Sequence, residues 1–142
     1  MIGKSVPRVD AYEKVTGRAK FTDDMILDKC LVAKVCHATI GNGIVKSIDT
    51  SEAEALDGVV KVVTFKDVPN HCYPTPGHPW SVELAHQDVA DRNLLTGRVR
   101  YYGDDIAAVV AEDEVTASRA LKLIKVEYEE YPVVLSPRLS MR

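Results

Sequence analysis

The stretch Arg98–Pro132, RVRYYGDDIAAVVAEDEVTASRALKLIKVEYEEYP, decides how this chain folds. Ile106 to Ala111 is an unbroken apolar run of strand length, the pattern of a strand buried on both faces. Asp113 follows where a helix cap belongs, and Glu112 and Glu114 lie near the positive end of that helix. Ala117, Ala120, Leu121 and Ile124 recur at i, i+3, i+4 and i+7 and define one apolar helix face. Lys122 and Lys125 fall toward the C-terminal end, where positive charge is favoured. From Val126 to Tyr131 the residues alternate as a strand, with Val126, Tyr128 and Glu130 on one side and Glu127, Glu129 and Tyr131 on the other. Pro132 and Pro137 are expected to end regular structure.

Working outward, the same order recurs upstream. Ile44–Asp49 reads as a strand, Ser51-Glu52-Ala53-Glu54 has capping-box spacing with Ser51 as cap, and Asp57-Gly58 stops the helix. Val59–Phe65 is the next strand, and Leu31–Ala38 is another that Gly41-Asn42-Gly43 breaks. Two strand–helix–strand units predict an α+β fold, with helices packed on sheet faces in one small mixed-sheet domain. The two units share little residue identity. Residues 1–29 read as an irregular lead-in, with turns at Lys14–Gly17 and Asp23-Asp24 around the extended piece Lys20–Thr22. The domain is expected over 30–135, with 136–142 as a tail. Asp67 to Thr96 is a long loop rich in proline (Pro69, Pro74, Pro76, Pro79), and Trp80 within it suggests that part of the loop docks on something.

At 142 residues the chain can bury a single core, and its hydrophobic share of 46% and charged share of 27% are those of a globular domain. Eighteen Lys and Arg against twenty-one Asp and Glu leave a net charge of −3, interspersed in sign, which advertises no nucleic-acid face. Arg92, Arg98 and Arg100 form the one dense basic cluster and read as a solvated rim rather than a phosphate site. No apolar run approaches the roughly 20 residues of a membrane helix. The start, MIGKSVPRVDAYEK, lacks the apolar centre of a secretory signal. Cys30 and Cys36, six apart on a strand, would stand roughly 20 Å apart when extended, too far for a disulfide. With Cys72 they read as reduced thiols of a cytoplasmic protein.

Candidate chemistry resolves into simpler readings. His71, Cys72, His78 and His86, with Asp88 and Asp91, could ligate a metal, but their spacing matches no tight ligand pattern and the prolines favour an extended run. Cys36-His37 is a candidate nucleophile and base, yet adjacent strand residues point to opposite faces. Asp104-Asp105 could divide acid and base roles, but beside Gly103 at a strand entrance the pair reads as a turn. The eight glycines form no dinucleotide or phosphate loop, and no GxSxG or iron–sulfur spacing occurs. No catalytic, cofactor-binding or metal-ligating residue is therefore assigned.

Three blocks of the chain nonetheless carry a resemblance. Gly3–Ala11 (GKSVPRVDA) and Lys14–Asp24 (KVTGRAKFTDD) form the first. Ser47-Ile48-Asp49, Ala53, Gly58-Val59 and Val62-Val63-Thr64 before Asp67-Val68-Pro69 form the second. Val99-Arg100-Tyr101-Tyr102-Gly103 with Ile106-Ala107, Val109-Val110-Ala111, Ala117, Ala120 and Val126–Val134 forms the third. Together, in register along nearly the whole chain, they resemble the N-terminus of a molybdenum hydroxylase large subunit, of the xanthine dehydrogenase and aldehyde oxidase family. The resemblance implies the α/β hammerhead domain that precedes the molybdopterin-binding domains.

In such enzymes a molybdenum–molybdopterin cofactor hydroxylates a purine or aldehyde carbon with water as oxygen source, and electrons leave through iron–sulfur clusters and often FAD. The resemblance puts the cofactor ligands and the catalytic base in later domains, so none is carried onto this chain. It departs from the family where Arg-Ser-Pro is usual and His37-Ala38-Thr39 stands, and where Gly-Gln-Pro is usual and Gly103-Asp104-Asp105 stands. The ending Arg138–Arg142 also differs from the acidic, alanine-rich continuation. The expected function is a structural domain, inactive alone, of a xanthine-dehydrogenase-like oxidoreductase. Its expected partners are the molybdopterin-binding domains and the iron–sulfur and FAD subunits or domains. The alternatives are a free-standing interaction or regulatory module and a small metal-binding protein built on His71, Cys72 and His78.

Overall fold

The computed structural model describes residues 2–25, 29–74, 83 and 89–141. Strands β1 (Val32–His37), β7 (Asp105–Ala111) and β3 (Val59–Thr64) form one sheet in that order, with β7 in the middle. Its central place explains the unbroken apolar run: Ile106, Ala107, Val109 and Ala111 have no exposed surface. Strands β6 (Arg98–Val99), β2 (Gly43–Asp49) and β8 (Lys125–Glu130) form a second sheet, again in that order.

The α+β class holds, but the arrangement of the sheets differs from a single mixed one. Every strand pairing among the described residues is antiparallel. Each strand–helix–strand unit sends its two strands to different sheets, so β2 pairs with β8 and β3 pairs with β7. The units are therefore interlocked. The link between β2 and β3 holds a helix of four residues, α2 (Ser51–Glu54), and falls short of the dozen or so that a parallel crossover within one sheet needs.

Helix α3, Glu114–Leu121, is capped as expected: the Asp113 carboxylate accepts from the Thr116 amide at 2.9 Å and from its hydroxyl at 2.6 Å. Lys34 of β1 donates to Glu114 at 2.8 Å and pins the first turn to the sheet. At α2 the expected capping box does not form. Thr50 is the cap residue, its hydroxyl donating to Glu54 at 2.7 Å, while Asp49 accepts from both the amide and the hydroxyl of Ser51. Asp49 ends β2 close to the next turn, so its carboxylate captures Ser51 first.

Two apolar clusters hold the domain. Ala38, Ile40, Val45, Val99 and Ile106 form one, with Ile48, Val126 and Tyr128 packed against it. Ala53, Val62, Val109 and Ala120 form the other, so the helices bear on the first sheet through alanines, with Leu121 and Ile124 at the margin. Gly43 lies inside β2 rather than only in a turn. A Cβ there would collide with the Glu129 carbonyl oxygen and stand 2.6 Å from Ile40 Cδ1, so the close approach of β8 requires glycine.

Two further expectations change. Pro137 begins a short helix, α4 (Pro137–Ser140), because the first helical turn needs no proline amide. The long loop contains a two-stranded ribbon of β4 (Tyr73–Pro74) and β5 (Ala90–Arg92). Contacts divide the chain into Met1–Cys30 and Leu31–Arg142. In the first unit a short helix, α1 (Ala11–Val15), precedes the turn at Gly17, and Asp10 is paired with Arg8 and Lys14. None of its described residues is buried.

Candidate functional site

The three arginines are the densest polar feature, and each is committed within the fold. Arg98 donates to the carbonyl oxygens of Gly43 (2.9 Å) and Val99 and to Asn42 Oδ1 (2.8 Å), and its guanidinium lies 5.5 Å from the Tyr131 ring centroid. Asn42 in turn donates to the Pro132 carbonyl at 2.7 Å, so this group ties β6 to the exit of β8. Arg100 donates to the Asp91 carbonyl (2.6 Å) and carboxylate (3.2 Å). Arg92 donates to the Tyr101 hydroxyl with its guanidinium 4.9 Å from that ring centroid. The rim expected from sequence is a bonded seam rather than a row of free cations.

Arg92, Arg100, Tyr101, Asp91 and Asp104 line a pocket of about 120 Å³. Two guanidinium groups face two carboxylates there, so the charges balance and no anion is drawn in by net field. Asp104 is buried at 8% exposure and accepts from the Arg100 amide at 3.1 Å. Burial, reinforced by the Asp104 charge, raises the Tyr101 phenol above its ordinary pKa, so it stays a neutral hydroxyl.

Asp104 and Asp105 do not converge. Asp104 turns into the bend closed by Gly103 at φ +92°, whereas Asp105 Oδ1 lies 2.9 Å from His37 Nδ1 on β1. Cys36 and His37 diverge likewise. Burial holds the Cys36 thiol above its ordinary pKa, which suppresses the thiolate a nucleophile needs, while His37 is exposed. Of the metal candidates, Cys72 donates to Asn93 at 3.1 Å and Asp91 serves Arg100. His78, His86 and Asp88, like Trp80, lie outside the described residues. Among the described residues no three His, Cys, Asp or Glu side chains gather to hold a metal.

One constellation was missed from sequence. His37–Thr39 and Gly103–Asp105, far apart in the chain, meet at one corner. The Ala38 amide donates to the Asp104 carbonyl at 2.8 Å, the Gly103 amide to the Ala38 carbonyl at 2.9 Å, and His37 pairs with Asp105. No local pattern in the sequence joins the two segments. The antiparallel register, with its irregularity between Cys36 and His37, brings them into contact.

Fold and polar seam together define an interlocked two-sheet α+β domain whose arginine cluster is bonded to its own strands and loops. Residues 16–132 match the model described as "Aldehyde oxidase and xanthine dehydrogenase, a/b hammerhead domain", and the chain belongs to that family. It is 43% identical over 134 residues to the xanthine dehydrogenase molybdenum-binding subunit of Escherichia coli O157:H7, covering 94% of this chain and 18% of that protein. Aldehyde oxidase 2 of Rattus norvegicus is 33% identical, over 94% of this chain and 9% of its own length. The crystal structure of the aldehyde oxidoreductase from Desulfovibrio desulfuricans superposes with a TM-score of 0.79 at 34% identity, covering 98% of this chain and 16% of that one. The chain thus spans less than a fifth of these relatives. Among the described residues no helix is long and apolar enough to cross a membrane.

Proposed function

We propose that this chain is the N-terminal structural domain of a xanthine-dehydrogenase-like molybdenum hydroxylase subunit and supplies no catalytic, cofactor-binding or metal-ligating residue itself. The observation that carries this reading is a likeness in sequence and fold to much longer molybdenum proteins, of which the chain spans less than a fifth, with the arginine seam bonded to the domain's own strands and loops. The parent reaction is hydroxylation of a purine or aldehyde carbon with water as oxygen source. The hammerhead domain covers 30–135, preceded by the lead-in 1–29 and followed by the tail 136–142. The molybdenum–molybdopterin group belongs to later domains of the subunit, with iron–sulfur clusters and FAD on partner domains or subunits, in the cytoplasm. The arginine seam offers no ready cradle for that group's phosphate: Arg100 is paired with Asp91, and Arg92 and Arg98 each donate to protein oxygens.

The test is made on rigorously purified chain and on its complexes. The chain alone is expected to oxidise neither xanthine nor an aldehyde in a dye-coupled assay, and to retain no stoichiometric molybdenum by elemental analysis. Affinity capture from its native cell is expected to recover a polypeptide bearing molybdopterin. Purine oxidation by the isolated chain would sink the reading. Stable self-association with no such polypeptide would favour the free-standing interaction module instead.

A further inference from the structure

Among the described residues the β1–β7–β3 sheet carries helix on one face; on the other, Ile106 is buried in the first cluster at one end and the rows beyond it carry no helix. Register sets Val35, Ala108 and Val63 in one cross-strand row, and Ala33, Val110 and Lys61 in the next. Side chains alternate along a strand, so these rows lie opposite Val109 and Val62, which pack with Ala120 of α3. On the open side Val35 is 38% exposed. Leu31, just before β1, is 50% exposed. Lone surface valines are ordinary, but here apolar residues run across all three strands, with Lys61 at the margin.

We infer that this open face is the surface by which the domain docks on the cofactor-bearing remainder of its own subunit, an inference that rests on the structural role proposed above. Size selects the occupant. A stable interface between free chains takes roughly 800 Å² and 20–30 residues from each side. The two rows supply six residues, two of them alanines. A second copy or an unattached protein gains too little from such a patch. A body joined through the same polypeptide acts at high effective concentration, so a small flat patch suffices. The E. coli relative, of which the matched region is 18%, has such a body. Ala33 and Ala108 keep the surface flat and allow a helix or sheet to approach closely.

Thiol labelling tests the assignment. Val35→Cys, Ala33→Cys and, on the exposed first turn of α3, Val115→Cys are each placed in a Cys30→Ser, Cys72→Ser background. Each is prepared in the isolated chain and in a chimera where this chain replaces the matching stretch of the E. coli O157:H7 subunit. Maleimide labelling at the introduced thiols is compared between the two forms, with melting temperature as the check on folding. Expected is labelling at positions 33 and 35 slowed at least about tenfold in the chimera, with position 115 unchanged, since a covered thiol is inert. Protection at 115 with 33 and 35 still open overturns this face but keeps the structural role. No protection at any position overturns both.

Discussion

At the scale of single residues, small polar contacts set the response to acid. The Thr116 hydroxyl and amide hold the Asp113 carboxyl below its ordinary pKa, and the Thr64 hydroxyl and amide do the same for Asp67. A carboxyl with a lowered folded-state pKa stabilises the fold above its unfolded value, and that contribution is lost as pH falls through the folded value. The window therefore lies below roughly pH 4, the ordinary aspartate range. Asp113→Ala is expected to lower the melting temperature by a few degrees at neutral pH and to make less difference as pH falls through that window. Urea midpoints measured between neutrality and acid check this; an unchanged gap between variant and parent at every pH contradicts it. Asp113 was readable in the sequence because a cap acts within one turn. Asp105 was not readable as the partner of His37, since only strand register brings the two together.

Among the elements, α3 and β7 were legible and α2 only in part. Ala117 and Ala120 are fully buried, as the helical spacing requires, and Ala120 sits against Val62 and Val109. The alanines set how closely helix and sheet approach. Ala120→Leu is expected to destabilise by about 1–3 kcal/mol through overpacking. Urea unfolding measures the loss; a stabilised variant would mean that a void lies under the helix. The ends of the elements were less legible for a local reason. Asp49 and Thr50 compete to organise the start of α2, and a capping pattern in sequence does not say which oxygen wins. The ribbon of β4 and β5 was missed because two and three residues carry no periodicity.

For the whole molecule the decisive feature is interlocking: β2 finds its partner in β8 and β3 in β7, across the long loop. Neither strand–helix–strand unit can complete a sheet without the other. Polypeptides 31–70 and 71–142 are expected to be unfolded separately and to regain strand and helix signals by circular dichroism when mixed in equal amounts. Native-like structure in either half alone would show that the cross-pairing is not what holds the fold. By itself the sequence determined the strands, the α3 face, the Asp113 cap and the family likeness, because these are written in local spacing and in residues read one after another. Only the tertiary structure decided that there are two three-stranded antiparallel sheets, that the arginines bond to the domain's own strands and loops, and that His37 meets Asp105. Those outcomes depend on which strands pair, and pairing joins residues far apart in the chain through hydrogen bonds that periodicity does not encode.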